Sequence, residues 1–175
     1  MNVLVLGGGN AAYATAADLV LRGHAVKIHS ERPQELEPIH DAGGIEITGE
    51  ISGFAKIDVA QVSLAEALDW AEIGLLNVSA GGFESYGRAL AENLTKDQVI
   101  VSFGKGGASL ILNRVAREAG LPVRLILADG NKALYVCRRT EGAQVWVPRV
   151  WKSVTVAAFP GRDRKSTRLN SSHYS

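Results

Sequence analysis

The residues best suited to chemistry form a glycine-rich run close to the start of the chain. In order they are Gly7, Gly8, Gly9, Asn10, Ala11 and Ala12. This run fits Gly-x-Gly-x-x-Ala, the spacing with which a strand-to-helix turn holds the diphosphate of a dinucleotide. Gly7 permits the tight turn, Gly9 lets the main chain approach the diphosphate, and Ala12 keeps the helix near the strand. The helix start directs unpaired N–H groups at the phosphates. The run therefore predicts a dinucleotide site, with ordinary turn glycines as the alternative.

A second group of polar residues stands about 20 residues beyond the glycines, where such sites contact the adenosine ribose. It consists of Ser30, Glu31 and Arg32. An acidic side chain there accepts hydrogen bonds from the ribose of NAD, whereas an arginine pairs with the 2′-phosphate of NADP. If Ser30 faces the ribose, no carboxylate repels a phosphate and Arg32 is able to pair with it. If Glu31 turns inward, NAD is favoured. The choice between NAD and NADP therefore stays open, and the pattern slightly favours NADP. The alternative for Glu31 and Arg32 is that they are solvated charges of a loop without a binding role.

Two further polar segments follow predicted strands, at residues 77–82 and 104–107. Ligands of α/β sheets bind at the carboxyl ends of the strands. Val78 and Ser79 are therefore included among the predicted cofactor-binding residues. Lys105 is followed by glycine rather than by Ser or Thr, so the second segment is not the phosphate loop of a triphosphate-binding protein. We interpret Lys105 as a solvated loop charge, and the sequence identifies no catalytic residue.

The histidines and the single cysteine show no catalytic arrangement. His24, His29 and His40 have neither metal-ligand spacing nor a nucleophile partner, so no metal site is predicted. Cys137 stands alone, which excludes an internal disulfide framework, and we interpret it as a small apolar filler.

Strands and helices alternate through most of the chain. Strands are predicted at residues 3–6, 25–29, 73–78, 99–103, 123–127, 144–147 and 153–159, and helices at 11–22, 33–41, 64–70, 83–94 and 108–119. Residues 45–59 indicate a hairpin with part of a third strand. Repeated βαβ units imply a mostly parallel sheet that is covered on both faces. The predicted fold class is α/β, a Rossmann-type doubly wound sheet with extra β strands at the C-terminal end.

The length and composition of the chain are typical of a single globular domain. The chain has 175 residues, of which 46% are hydrophobic and 21% charged, and this length suits one domain. Its apolar runs are far shorter than the roughly 20 residues of a membrane span. The N-terminus reaches Gly7 without a basic region and so lacks the features of a secretory signal. We expect a cytoplasmic, reduced protein with no membrane partner.

The last residues need separate treatment. Residues 163–173 resemble one reading frame of a sequencing-library adapter, and a natural basic, disordered tail is the alternative. Three of the 19 basic and one of the 18 acidic residues lie in 163–175, so residues 1–162 carry a net charge of −1. No basic stripe indicates a nucleic-acid partner. We therefore expect a dinucleotide-binding domain in residues 1–162 and an adapter-derived, disordered tail in 163–175.

Several segments resemble one known family. The glycine run, the Leu-Arg-Gly-His stretch at residues 21–24 and the Gly-Gly-Ile-Glu-Ile-Thr-Gly stretch at 43–49 are similar to the N-terminal domain of the octopine/nopaline (opine) dehydrogenases. Residues 134–138 and 154–160 resemble the segments that follow the nucleotide fold in that family, so the similarity spans residues 1–160 in order. The family often has Glu where Asp129 stands and Pro where Leu134 stands, so no substrate role is transferred to that loop.

The resemblance implies an NAD(P)H-dependent oxidoreductase that joins an α-keto acid to an amine or amino acid by hydride transfer to the imine. It also implies a helical C-terminal domain with the substrate site and a catalytic His–Asp pair, which we expect to be missing here. The chain is then the cofactor half of an enzyme, inactive alone, and its oligomeric state stays open. The alternatives are a fragment similar to ketopantoate reductase or glycerol-3-phosphate dehydrogenase, or a non-catalytic nucleotide-binding module.

Overall fold

The computed structural model of the protein describes residues 1–57, 63–104 and 106–159. Its strands are β1 Asn2–Leu6, β2 Ala25–His29, β3 Gly44–Gly49, β4 Gly53–Lys56, β5 Ile73–Leu76, β6 Gln98–Ser102, β7 Leu125–Gly130, β8 Tyr135–Arg139, β9 Gln144–Val150 and β10 Val156–Phe159. Its helices are α1 Asn10–Leu21, α2 Glu37–Ala42, α3 Leu64–Trp70, α4 Phe83–Asn93 and α5 Ala108–Glu118, with 3-10 turns at Pro33–Glu35 and Ala80–Gly82. In these described segments, no helix combines the length and apolar character needed to cross a membrane.

The larger sheet has six strands in the order β10-β7-β6-β5-β1-β2. Every neighbouring pair is parallel except β10 and β7, which are antiparallel. Within β1, residues 3–6 are an unbroken apolar run because helices cover both faces of the sheet around the strand. The chain leaves β1 toward β2 on one side and reaches β5 on the other. The order of strands therefore reverses beside β1, and a crevice opens at the carboxyl ends of β1 and β5.

A smaller sheet was only partly foreseen from the sequence. It has the order β4-β3-β9-β8, with β3 parallel to β9. The predicted hairpin is confirmed as the antiparallel pair β3 and β4. The two predicted C-terminal strands separate, since β9 joins this sheet while β10 joins the larger one. Strand β8 was not predicted at all. The remainder of the hairpin stretch, residues 58–59, lies outside the described residues, as does the 163–175 tail.

Most other predicted elements are confirmed with end points shifted by at most three residues. The predicted helix at residues 33–41 is instead two pieces, the 3-10 turn Pro33–Glu35 and helix α2. Leu36 separates the two pieces and is buried, so packing of its side chain against the core marks the break.

Helix α1 lies between the two sheets and is buried on every side. Its residues from Ala12 to Asp18 are all buried. Four of them are alanines, and their small side chains let β1 and β2 on one side and the smaller sheet on the other approach the helix closely. The largest apolar cluster joins α1 to residues of β3, β4, β8 and β9. The glycine run at the start of α1 is therefore held by packing on both sides.

One polar contact is built into this apolar interface. The Tyr135 hydroxyl on β8 donates a 2.7 Å hydrogen bond to Asp18 Oδ2, and Arg22 Nε donates one of 2.7 Å to Asp18 Oδ1. Burial, followed by the nearby Asp18 charge, raises the pKa of Tyr135 far above its ordinary value. The hydroxyl therefore remains protonated and available as a donor to the carboxylate.

We expect Tyr135→Phe to lower the free energy of unfolding by about 1–3 kcal/mol, because it removes a buried hydrogen bond to a charged acceptor. Val136→Ala on the same strand is the control, since Val136 is exposed and its loss should cost no more than about 0.5 kcal/mol. Chemical denaturation of both variants measures the difference. Equal stabilities would contradict the role of this hydrogen bond in joining α1 to β8.

Candidate functional site

The crevice at the carboxyl ends of β1 and β5 is a cleft of about 440 Å³. It is lined by the glycine loop, the end of β2 with the 3-10 turn before α2, the segment between β5 and α4, and the first turn of α4. The lining residues are Gly7, Gly8, Gly9, Ser30, Glu31, Arg32, Glu35, Asn77, Val78, Ser79, Gly81, Gly82, Ser85 and Tyr86. The structure thus brings the glycines together with Ser30, Glu31, Arg32, Val78 and Ser79, which the sequence had placed in three separate segments.

The glycine loop is shaped by Gly7 and left open at Gly9. Gly7 has φ +125°, and a Cβ atom there would lie 2.6 Å from the main-chain oxygen of Asn77. Its N–H donates a 2.8 Å hydrogen bond to the carbonyl oxygen of His29 at the end of β2. At Gly9 the φ is −85°, and a Cβ atom would have no neighbour within 4 Å. No side chain caps the start of α1. The first-turn N–H groups of α1 therefore adjoin open space.

The two glycines should respond differently to the same added methyl group. We expect Gly7→Ala to destabilise the fold by more than about 2 kcal/mol, because it combines a positive φ with a main-chain clash. We expect Gly9→Ala to change the free energy of unfolding by less than about 1 kcal/mol, since alanine readily adopts the φ and ψ of Gly9 and the added methyl group contacts no other atom. Thermal and chemical unfolding measure both, and each variant controls for the other. A larger loss at Gly9 than at Gly7 would contradict this account of the loop.

The remaining predicted residues of the glycine run, Asn10, Ala11 and Ala12, do not line the cleft. Asn10 is exposed, and its Oδ1 accepts a 3.0 Å hydrogen bond from the N–H of Arg139 on β8. Ala11 is half-buried and Ala12 is completely buried. Ala12 thus occupies the close-packed position that its small size suggested.

Arg139 holds the loop from the side of the smaller sheet, a contact that was not predicted from the sequence. Its Nη1 donates a 3.1 Å hydrogen bond to the main-chain oxygen of Gly8, and its guanidinium lies 4.0 Å from the centre of the Tyr13 ring. Burial, opposed by the Arg139 charge, raises the pKa of Tyr13. The only signal available beforehand was the resemblance of residues 134–138 to a family segment, which did not extend to Arg139.

Ser30, Glu31 and Arg32 form the edge of the cleft at the end of β2. Glu31 does not turn toward the glycine loop, because its carboxylate accepts a 2.8 Å hydrogen bond from Ser85 Oγ on α4. The Glu31 N–H donates to the Tyr86 hydroxyl at 3.2 Å. Ser30 is buried, and its Oγ donates a 2.7 Å hydrogen bond to Glu35 Oε2. Of the two acidic residues that line the cleft, Glu31 and Glu35, it is Glu35 whose side chain reaches from this edge to the glycine loop. Sequence reasoning missed it.

The opposite end of the cleft begins at Asn77, directly after β5. Asn77 Oδ1 accepts a hydrogen bond of 3.3 Å from Thr15 Oγ1 on α1, which ties β5 to the helix.

On the neighbouring strand β6, Ser102 is buried and its hydroxyl has no hydrogen-bond partner in the structure. Asp129 on β7 accepts bonds of 3.2 and 3.4 Å from the N–H of Ser109 and so caps α5. An unpaired buried hydroxyl is costly in a fold, but Ser102 does not line the cleft.

The other residues singled out by type lie elsewhere. Cys137 is half-buried on β8, and burial raises the pKa of its thiol, which suits an apolar filler rather than a nucleophile. Lys105 lies outside the described residues. Among residues 1–57, 63–104 and 106–159, no cluster of three or more His, Cys, Asp and Glu side chains could hold a metal ion.

His29 ends β2 directly beside the loop, and its burial makes folding sensitive to acid. Burial lowers the pKa of His29 below its ordinary value, and the nearby Glu31 charge only partly opposes this. As the pH falls through about 6.5, the unfolded chain takes up a proton at this position before the folded chain does. The contribution of His29 to the stability of the fold therefore decreases as the pH falls below that value.

We expect His29→Gln to remove part of the loss of unfolding free energy between pH 7.5 and about pH 5. His40→Gln is the control, because His40 is exposed on α2. Denaturation at a series of pH values measures the slopes. If His29→Gln leaves the pH dependence as steep as in the wild type, the burial of His29 does not set it.

Comparison with known proteins identifies the family and the fold of the chain. A protein-family model described as NADP oxidoreductase, coenzyme F420-dependent, matches residues 2–106. The chain belongs to this family. Membership confirms the prediction of an NAD(P)-dependent oxidoreductase domain. A search of curated protein sequences finds no match.

Solved structures with the same fold include octopine dehydrogenase in complex with NADH and agmatine, at 19% identity and a TM-score of 0.78. That match covers 92% of this chain and 42% of the other. Yersinopine dehydrogenase with bound NADP+ matches at 16% identity and a TM-score of 0.64, over 90% of this chain and 41% of the other. A probable 2-dehydropantoate 2-reductase from Bacillus subtilis matches at 15% identity and a TM-score of 0.64, over 91% and 50%. The Rossmann-type fold and the structural likeness to octopine dehydrogenase are thereby confirmed. The chain spans about half or less of the length of these proteins.

Proposed function

We propose that the chain is the NAD(P)-binding half of an opine-dehydrogenase-like oxidoreductase. The observation that carries this proposal is the open, uncapped start of α1 at Gly9, which faces a cleft at the switch point of the larger sheet. The structural match to octopine dehydrogenase with NADH supports the choice of enzyme class. When bound, the nicotinamide cofactor would supply a hydride, which in an opine dehydrogenase reduces the imine formed from an α-keto acid and an amine.

Each part of the cleft suits one part of the dinucleotide. The uncapped N–H groups of α1 beside Gly9 would hold the diphosphate, because they combine free donors with the positive end of the helix dipole. The edge formed by Ser30, Glu31 and Arg32 would hold the adenosine. Asn77, Val78 and Ser79 continue toward the carboxyl end of β5 and would line the nicotinamide end.

The proton-transferring and substrate-binding groups are proposed to come from a second domain. More than half of octopine dehydrogenase lies outside the match to this chain. One face of the larger sheet carries a small cluster of four buried apolar residues, Val3, Leu75, Val101 and Ala128, and partly buried apolar side chains pack against this cluster. Ile73, Val99 and Phe103 are three of these partly buried side chains. A domain packed against that face would bring its side chains to the carboxyl edge of the sheet, beside the nicotinamide.

A titration of the purified 175-residue chain tests the cofactor assignment. We expect calorimetry to detect binding of NADH or NADPH. We expect Gly9→Ala to weaken that binding at least about tenfold, because its methyl group lies where the diphosphate must approach the main chain. The unfolding measurements on Gly9→Ala show whether the variant is folded. No heat with either cofactor in a folded wild-type sample would contradict the proposal. So would equal affinity of the wild type and Gly9→Ala.

A reductase similar to 2-dehydropantoate 2-reductase is the second candidate, because such enzymes match with TM-scores of 0.64 and 0.65 over 91% and 95% of the chain. Both candidates predict cofactor binding by this chain and no turnover by it alone. They differ in the substrate, which is an α-keto acid plus an amine in one case and 2-dehydropantoate in the other. Assays of a protein that includes a second domain, with either set of substrates and NAD(P)H, distinguish them.

A further inference from the structure

An acidic side chain other than Glu31, the one considered from the sequence, occupies the adenosine end of the cleft. We infer that Glu35, at the end of the 3-10 turn Pro33–Glu35, is the residue that selects the cofactor and favours NADH over NADPH. This inference rests on the proposed function, because it assumes that the cleft holds a dinucleotide. It differs from the expectation drawn from Ser30 and Arg32, which favoured NADP.

The Glu35 carboxylate bridges the two walls of the adenosine end of the cleft. On one side it lies against Gly8, so closely that a Cβ atom at Gly8 would overlap Oε2 and the Glu35 Cβ. On the other side Oε2 accepts the 2.7 Å hydrogen bond from Ser30 Oγ at the end of β2. In dinucleotide-binding folds the adenosine ribose lies between the glycine loop and the end of the second strand. Glu35 therefore presents a carboxylate at the ribose position from a different element than usual.

The main chain of Glu35 is fixed by the core, so its position is a property of the fold. The Tyr13 hydroxyl donates a 2.5 Å hydrogen bond to the carbonyl oxygen of Glu35, and Tyr13 is completely buried. Pro33 starts the turn, and the buried Leu36 follows Glu35 and donates its N–H to the carbonyl oxygen of Pro33 at 2.9 Å. The side chain itself is 29% exposed, which leaves its carboxylate accessible from the cleft.

The chemistry of this carboxylate discriminates between the two cofactors. A ribose diol donates hydrogen bonds to a carboxylate, whereas a 2′-phosphate carries negative charge and no comparable donor. Arg32 does not reverse this preference, because its Nη1 lies 3.6 Å from Glu35 Oε1 and its charge already faces that carboxylate. Ser30, whose hydroxyl donates to Glu35, is a positioning residue for the carboxylate rather than the ribose contact itself.

The test is a calorimetric titration of the 175-residue chain with NADH and with NADPH. We expect the wild type to bind NADH at least about tenfold more tightly than NADPH. In a partly exposed cleft, repulsion between the Glu35 carboxylate and a 2′-phosphate at contact distance weakens binding by about that factor or more. We expect Glu35→Gln to lower this ratio by about tenfold or more, with tighter binding of NADPH. Glu37→Gln removes the same charge from the exposed first turn of α2, outside the cleft, and should leave the ratio unchanged.

The possible outcomes separate this inference from the proposed function. A folded wild type that binds neither cofactor contradicts the proposed function. A wild type that binds NADPH as tightly as NADH overturns the role of Glu35 while the proposed function stands, and this measurement needs no variant. An unchanged ratio in a folded Glu35→Gln protein, or an equal change in Glu37→Gln, also overturns it.

Discussion

The burial of helix α1 between two sheets is the constraint on which the rest of the structure depends. A helix that is apolar on only one side could rotate or shift against a single sheet, but α1 is buried from Ala12 to Asp18 and has a neighbour on every side. Alanines make this possible, because larger side chains would hold the sheets too far apart to share one core. The start of α1 therefore has a fixed position and direction. An anion site formed by main-chain N–H groups requires such rigidity, because no side chain can adjust to the ligand.

Three different elements then fix the glycine loop itself. The end of β2 accepts the Gly7 N–H, β8 supplies the Arg139 bonds to Gly8 and Asn10, and the turn before α2 places Glu35 against Gly8. Tyr13, one turn into α1, connects two of these elements, since its ring lies under the Arg139 guanidinium and its hydroxyl binds the Glu35 carbonyl. The loop is thus part of the core packing, although its outer surface is open at Gly9. The smaller sheet contributes to the site through Arg139 even though it lies outside the cleft.

The parts of the fold that sequence reasoning predicted are those encoded by local patterns. The apolar run of β1, the glycines and the alanine-rich start of α1 are adjacent in the chain, and each has its own signature, so the crevice and most of its glycine loop could be placed in advance. Strand β8 has no such signature, because Tyr135 and Cys137 alternate with Val136 and Arg138, which are also compatible with a loop. Its status as a strand depends on pairing with β9, which is a tertiary contact. Glu35 escaped prediction for a similar reason, since a polar turn gives no sign of which side chain it directs inward.

The charges around the cleft show how a nearly neutral protein can hold an anionic ligand. Glu31 and Glu35 both line the cleft, which at first sight opposes the binding of a diphosphate. Each carboxylate, however, already has partners at the end of β2: Glu31 accepts from Ser85, and Glu35 accepts from Ser30 and faces Arg32. The start of α1 at Gly9 has no acidic residue in its first turn and no capping side chain, so its positive end is not neutralised. Negative and positive potential are therefore separated along the cleft. An uncharged ribose suits the acidic edge and a diphosphate suits the helix start, and this order matches the order of the groups in a dinucleotide.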